Sequence, residues 1–85
     1  AFSQLVLPPQ EQKLFEKLRW WRMEIAREKN MPAYVIFQDA TLREIALAKP
    51  VTMNELKQIS GIGDKRLAQW GEDIIRLVNG FNVSV

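Results

Sequence analysis

The segment Pro32-Ala33-Tyr34-Val35-Ile36-Phe37-Gln38-Asp39-Ala40-Thr41-Leu42 constrains the fold more than any other part of the chain. Pro32 disfavours helix at Met31, so a helix arriving from upstream must close there. Ala33 to Phe37 are five apolar residues without polar alternation, which predicts burial on most sides. Asp39 can cap a new helix, because its carboxylate can accept free N–H groups of the first turn. The segment is therefore expected to be a compact connector, of about one helical turn, leading directly into a helix. Tyr34 has a polar end. It is expected to lie with its ring on the surface or its hydroxyl bonded.

A chain of 85 residues accommodates one domain and one core. At this size about 60–65% of the unfolded surface is buried, so stability is expected to be modest. The absence of Cys excludes disulfides and thiolate zinc sites. The absence of His removes the usual general base, metal ligand and pH switch. No apolar run approaches about 18 residues, so no membrane span is expected. Ala1 to Leu7 lacks a basic n-region, so no signal peptide is expected either. A net charge of +2 permits nucleic-acid binding without requiring it.

Pro8-Pro9 ends an irregular leader, residues 1–9, read as a linker or docking segment, although Leu5, Val6 and Leu7 could pack on the domain. From Gln10 to Lys29 the pattern is helical. Leu14, Leu18, Trp21 and Ile25 fall on one stripe, widened by Phe15, and Asn30 is placed to end it. A second helix is expected from Gln38 or Asp39 to about Lys49, with Leu42, Ile45 and Ala46 buried and Pro50 as its stop. Thr52-Met53-Asn54-Glu55 is a capping box in which the Thr hydroxyl bonds the Glu55 N–H and the Glu55 carboxylate reaches back to Thr52. Val51 and Leu56 occupy the positions of a hydrophobic staple. Met53, Leu56 and Ile59 are expected to face inward from that short helix. Gly61-Ile62-Gly63 ends it. The last helix is expected from Asp64 to about Asn79, with Leu67, Trp70, Ile74, Leu77 and Val78 on one face and Gly71 allowing close helix contact. Gly80 suits a left-handed cap, Phe81 folds back, and residues 82–85 form a frayed tail. The domain proper is 10–81, an all-α bundle.

No catalytic constellation is visible. Asp39, Glu55 and Asp64 are explained as caps or first-turn charges on helix dipoles, so no catalytic residue, metal or cofactor is expected. Binding chemistry has better candidates. In the hairpin from Leu56 to Leu67 the glycines can take positive φ and let backbone approach a ligand, with Lys65 and Arg66 following at once. Equally, the glycines can simply make a tight turn that plugs Ile62 into the core, and Asp64 opposes a phosphate at that spot. Arg22 and Lys29 share a side of the first helix, and Tyr34 follows within five residues of Lys29. Cations that hold phosphates beside an aromatic that stacks a base make a single-strand site. Tyr34 could also be purely structural. Trp20 points away from the main stripe between Lys13 and Arg27, where it could stack a base or be covered by the leader.

Leu14-Phe15 through Leu18-Arg19, the Pro32 to Phe37 run, Asp39-Ala40-Thr41-Leu42, Pro50, Leu56, Ile59, Gly61-Ile62-Gly63, Leu67 and Gly71 together resemble the HRDC domain, the helicase-and-RNase-D C-terminal module, in its bacterial RecQ-type version. The resemblance covers nearly all of Gln10 to Gly80. It implies a five-helix bundle with a helical connector at 33–37 and a Gly-Ile-Gly hairpin before the last helix. It implies a non-catalytic, monomeric accessory module of a RecQ-like DNA helicase, partnered by single-stranded or branched DNA and by other domains of its parent. That parent would act in DNA repair and recombination, in the bacterial cytoplasm at the nucleoid, or in the nucleus of a eukaryote. The implied nucleic-acid-binding set is Arg22, Lys29, Tyr34, Lys65 and Arg66. Glu72 and Asp73 dilute any basic face, so the expected binding is weak. Two other functions fit the same residues: a protein-docking module using Trp20, Met23 and the leader, and the RNA-binding equivalent in an RNase-D-like exonuclease.

Overall fold

The computed structural model describes residues 7–84, with side chains through Phe81. Its order is α1 (Pro9–Lys29), α2 (Ala33–Ile36), α3 (Asp39–Ala48), α4 (Met53–Lys57) and α5 (Asp64–Ser84). Two 21-residue helices, α1 and α5, form the frame. α1 packs on α2 and α3, and α5 packs on α4 and α1. The expected all-α five-helix bundle with its helical connector is what forms.

α1 starts with Pro9 at its first position, where a missing N–H costs nothing. It closes in a Schellman motif. Asn30 takes the left-handed conformation (φ 57°, ψ 49°), its N–H bonds Arg27 O at 3.3 Å, and the Met31 N–H bonds Ala26 O at 3.0 Å. α3 closes more simply. Lys49 is left-handed (φ 50°) and its N–H bonds Ile45 O at 2.8 Å. Pro50 has no N–H to make a second bond, so the chain turns away. The Lys49 ammonium bonds the Glu11 carboxylate and ties the end of α3 to the start of α1.

The core runs through the middle of every helix: Leu14 and Leu18, then Ile36, then Leu42 and Ile45, then Leu56, then Ile74 and Val78 are fully buried. Phe37 is sandwiched in an aromatic row. Its ring lies 6.1 Å from Trp21 and 5.7 Å edge-on from Trp70. Leu7 joins the core; Leu5 and Val6 lie outside the described residues.

Several local expectations are corrected. Asp39 is the first residue of α3 rather than its cap. The cap position is Gln38, whose side chain makes no capping bond, while the Asp39 carboxylate is drawn to Arg22. The Thr52 cap forms as expected, with the Glu55 N–H on its hydroxyl at 3.1 Å. The Glu55 carboxylate, however, reaches one residue further, to the Val51 N–H at 2.9 Å. Met53 does not face inward: it is 37% exposed, and its thioether lies across Gly71, where a Cβ would meet Sδ and Cε at 2.9 Å. Of the two hairpin glycines, Gly61 takes positive φ (93°) and Gly63 does not. Trp21 and Leu77 are half-buried, at the core's edge. Gly80 is helical rather than a left-handed cap, so α5 carries on to Ser84, through residues expected to fray. Val85 lies outside the described residues.

Candidate nucleic-acid interface

The four residues of α2 are too few to hold a helix by themselves. Their carbonyls are held from outside. Arg66, near the start of α5, donates Nε to Ile36 O at 2.7 Å and Nη2 to Val35 O at 3.0 Å. Arg22, in the middle of α1, donates Nη1 to Phe37 O at 2.8 Å and pairs through Nη2 with the Asp39 carboxylate at 2.7 Å. Three consecutive carbonyls with no helical partner are thus satisfied by two guanidinium groups through charge-assisted bonds. This clamp fixes the turn between α1 and α3. It turns Ile36 and Phe37 into the core and leaves Tyr34 and Val35 outside.

The clamp gives two members of the expected binding set structural partners. Arg22 is only 8% exposed, and its Nε is buried without a partner. It is a strut of the fold, held inward by Asp39 and Phe37 O. Arg66 is half-buried and donates Nε and Nη2 to α2, with Nη1 making no bond among the described residues. The other three residues are exposed. Tyr34 is 68% exposed, and its ring meets no other aromatic among the described residues. Lys29 lies in the last turn of α1, and Lys65 is the second residue of α5; both are exposed, and neither forms an ion pair among the described residues. The bonds of Arg66 to Val35 and Ile36 tie the start of α5 to the α2 turn. Ile62 is buried, so the hairpin does make a plugged turn.

Two surface features complete the region. Trp20 is 63% exposed, and Leu7, the described part of the hydrophobic leader, packs in the core. With Arg19, Met23 and Ala33, Trp20 lines a groove of about 360 Å3 on α1. On the other side of α2, Phe37, Gln38, Thr41, Gly61 and Arg66 line a polar cleft of about 200 Å3. The place of Trp20 on its helix already marked it as a surface residue. The cleft had no such signal, because its walls come from two stretches, 37–41 and 61–66, that only the fold brings together. No cluster of acidic residues among the described residues could hold a metal ion, and no described helix is long and apolar enough to cross a membrane.

Comparison with known proteins follows the same outline. The HRDC domain family model matches residues 11–78. The ATP-dependent DNA helicase UvrD2 of Mycobacterium tuberculosis (strain ATCC 25618 / H37Rv) is 43% identical over 70 residues, covering 82% of this chain and 10% of that protein. The ATP-dependent DNA helicase RecQ of Haemophilus influenzae is 36% identical over 85 residues, covering 92% of this chain and 14% of that protein. Among solved structures, HRDC domain 3 of D. radiodurans RecQ superposes with a TM-score of 0.79 at 37% identity, covering 82% of this chain and 92% of that one. The chain therefore spans only a small fraction of the helicases it matches.

Proposed function

The chain belongs to the HRDC domain family, and on that premise we propose that it is an accessory DNA-binding module of a helicase, holding single-stranded DNA weakly and so tuning which DNA the parent engages. The observation that carries this reading is the exposed Tyr34 ring on a turn immobilised by Arg22 and Arg66. A fixed, solvent-facing aromatic can stack a base without first being ordered, and base–aromatic stacking is worth about 1–3 kcal/mol. Lys29 and Lys65 supply cations for the flanking phosphates. With so few phosphates neutralised, affinity is low and its salt dependence shallow. The parent is a DNA helicase of the RecQ or UvrD2 kind, working where the chromosome is.

Fluorescence anisotropy with labelled oligothymidylate tests this. Tyr34→Ala weakens binding by about 1–3 kcal/mol and leaves the melting curve in place, because the ring touches little of the core. Parent-like binding by Tyr34→Ala, or its unfolding, contradicts the reading. A second reading, docking on another domain of the parent, is favoured by the exposed Trp20 and Met23 in their groove. It predicts that Trp20→Ala leaves oligonucleotide affinity alone and weakens association with the rest of the helicase.

A further inference from the structure

The polar cleft between the start of α3 and the Gly61 hairpin holds an unmet donor. Thr41 is 6% exposed, and its hydroxyl makes no hydrogen bond among the described residues. The hydroxyl points into the cleft: a Cβ on Gly61, which lines the same space, would lie 2.4 Å from Thr41 Oγ1. The hydroxyl has no protein partner among the described residues and borders the open cleft, so an acceptor entering there meets a donor that no protein group already occupies.

The start of α3, which gives Gln38 and Thr41 to the lining, and Arg66 add further donors. α3 is ten residues long and begins without a side-chain cap, so the N–H groups of Asp39, Ala40 and Thr41 precede its first helical bond, from the Leu42 N–H to Gln38 O. These N–H groups and the positive end of the helix dipole favour an anion. The Arg66 guanidinium forms one wall, immobilised through Nε and Nη2, with Nη1 making no bond among the described residues. Gln38 adds an amide at the rim. Two carboxylates are close in sequence. Asp39 is paired with Arg22. Asp64 sits in the first turn of α5 and is exposed. Gly61 closes the cleft with backbone alone, at a φ of 93°.

We propose that this cleft seats one phosphate group. Amides, a hydroxyl and a guanidinium brought from separate elements suit the several oxygens of a tetrahedral anion. Arg66 also bonds Val35 O, next to Tyr34. On the reading given above, the occupant is a backbone phosphate of the strand whose base stacks on Tyr34; inorganic phosphate has the same chemistry.

The test is an amide-resolved NMR titration of the 85-residue chain, with inorganic phosphate and, separately, with oligothymidylate at constant ionic strength. Both ligands shift the amides of Asp39, Ala40, Thr41 and Gly61. Thr41→Val keeps the side chain's shape, removes the hydroxyl and weakens phosphate about tenfold, as expected when one hydrogen bond to a charged acceptor is removed. Thr41→Ser keeps the hydroxyl and parent affinity. Phosphate shifts confined to lysine-bearing surfaces, or parent-like binding by Thr41→Val, overturn the site. If oligothymidylate shifts residues around Tyr34 while the cleft amides stay still, the phosphate site falls and the DNA reading stands. If phosphate fills the cleft and no oligothymidylate binds, the site stands for free phosphate and the DNA reading falls.

Discussion

The inner and outer sides of α2 divide one set of cations between two kinds of work. Inside, Arg22 and Arg66 give their donors to Val35 O, Ile36 O, Phe37 O and the Asp39 carboxylate. Outside, Lys29, Tyr34 and Lys65 are exposed. Side-chain chemistry explains the split. A guanidinium is planar, always charged and weakly hydrated, and its fork meets two fixed acceptors at once. An ammonium is a strongly hydrated point charge on a flexible stem, suited to a mobile phosphate at the surface. Proximity of a cation to the binding face therefore does not show that it binds. What separates Arg22 from the lysines is that protein acceptors already occupy both of its terminal nitrogens, whereas Arg66 keeps Nη1 unbonded among the described residues.

Removing Arg22 has the largest effect expected from this division. Arg22→Ala leaves Phe37 O unbonded and Asp39 unpaired, and costs about 2–4 kcal/mol. In a domain of this size each kcal/mol lowers the melting temperature by about 4–8 °C, so thermal melts should drop by roughly 10–30 °C. Arg22→Lys recovers little of it, because an ammonium cannot span both acceptors. A melt that Arg22→Ala leaves unchanged breaks the inner half of the comparison. Thr52→Ala is a smaller perturbation of about 1 kcal/mol, since it removes the hydroxyl that caps α4. Being remote from α2, it leaves oligonucleotide affinity unchanged, which sharpens the claim that stability and binding are separable.

The smallest effect concerns Glu11. The Lys49 ammonium, bonded to its side chain, holds its carboxyl below the usual value of 4.5, with a backbone hydrogen bond helping. A depressed folded pKa means that the pair's contribution is complete above the unfolded value and is lost as pH falls through the folded one. Melts of the parent and Glu11→Gln should accordingly differ at neutral pH and converge in acid. A difference that persists in acid shows that the carboxylate charge is not the cause.

Much of this fold is legible in sequence because its signals are local. Thr52 and Glu55 lie three residues apart, Asn30 and Pro32 bracket one helix end, and the apolar spacing of Leu42, Ile45 and Ala46 marks one face. Arg22 defeats a local reading because its partners are remote. It falls four residues after Leu18 and four before Ala26, both buried, so spacing alone is compatible with its inward position. Its charge argues for the surface, and only the return of the chain at Phe37 and Asp39 supplies the acceptors that keep it inside. Arg66 depends in the same way on carbonyls thirty residues upstream. Gly80 fails in the opposite direction: a local cap signal is overridden because Val78 and Phe81 are both buried, and a continuous helix serves both. Tyr34, Lys29 and Lys65 lie on the surface as expected, since exposure is what side chains with unpartnered polar ends adopt by default.

The division of labour is tested most directly by the salt dependence of oligothymidylate binding for the parent and for the Lys29→Ala/Lys65→Ala double variant, with melting curves measured alongside. Each phosphate no longer neutralised lowers the slope of log K against log salt by about 0.7 on a single strand, so the double variant should give up about 1.4 of slope. Its melting temperature should match the parent's, because neither lysine forms an ion pair among the described residues. An unchanged slope, or a melting temperature that falls with the affinity, would contradict the assignment of the two lysines to DNA and of Arg22 to structure.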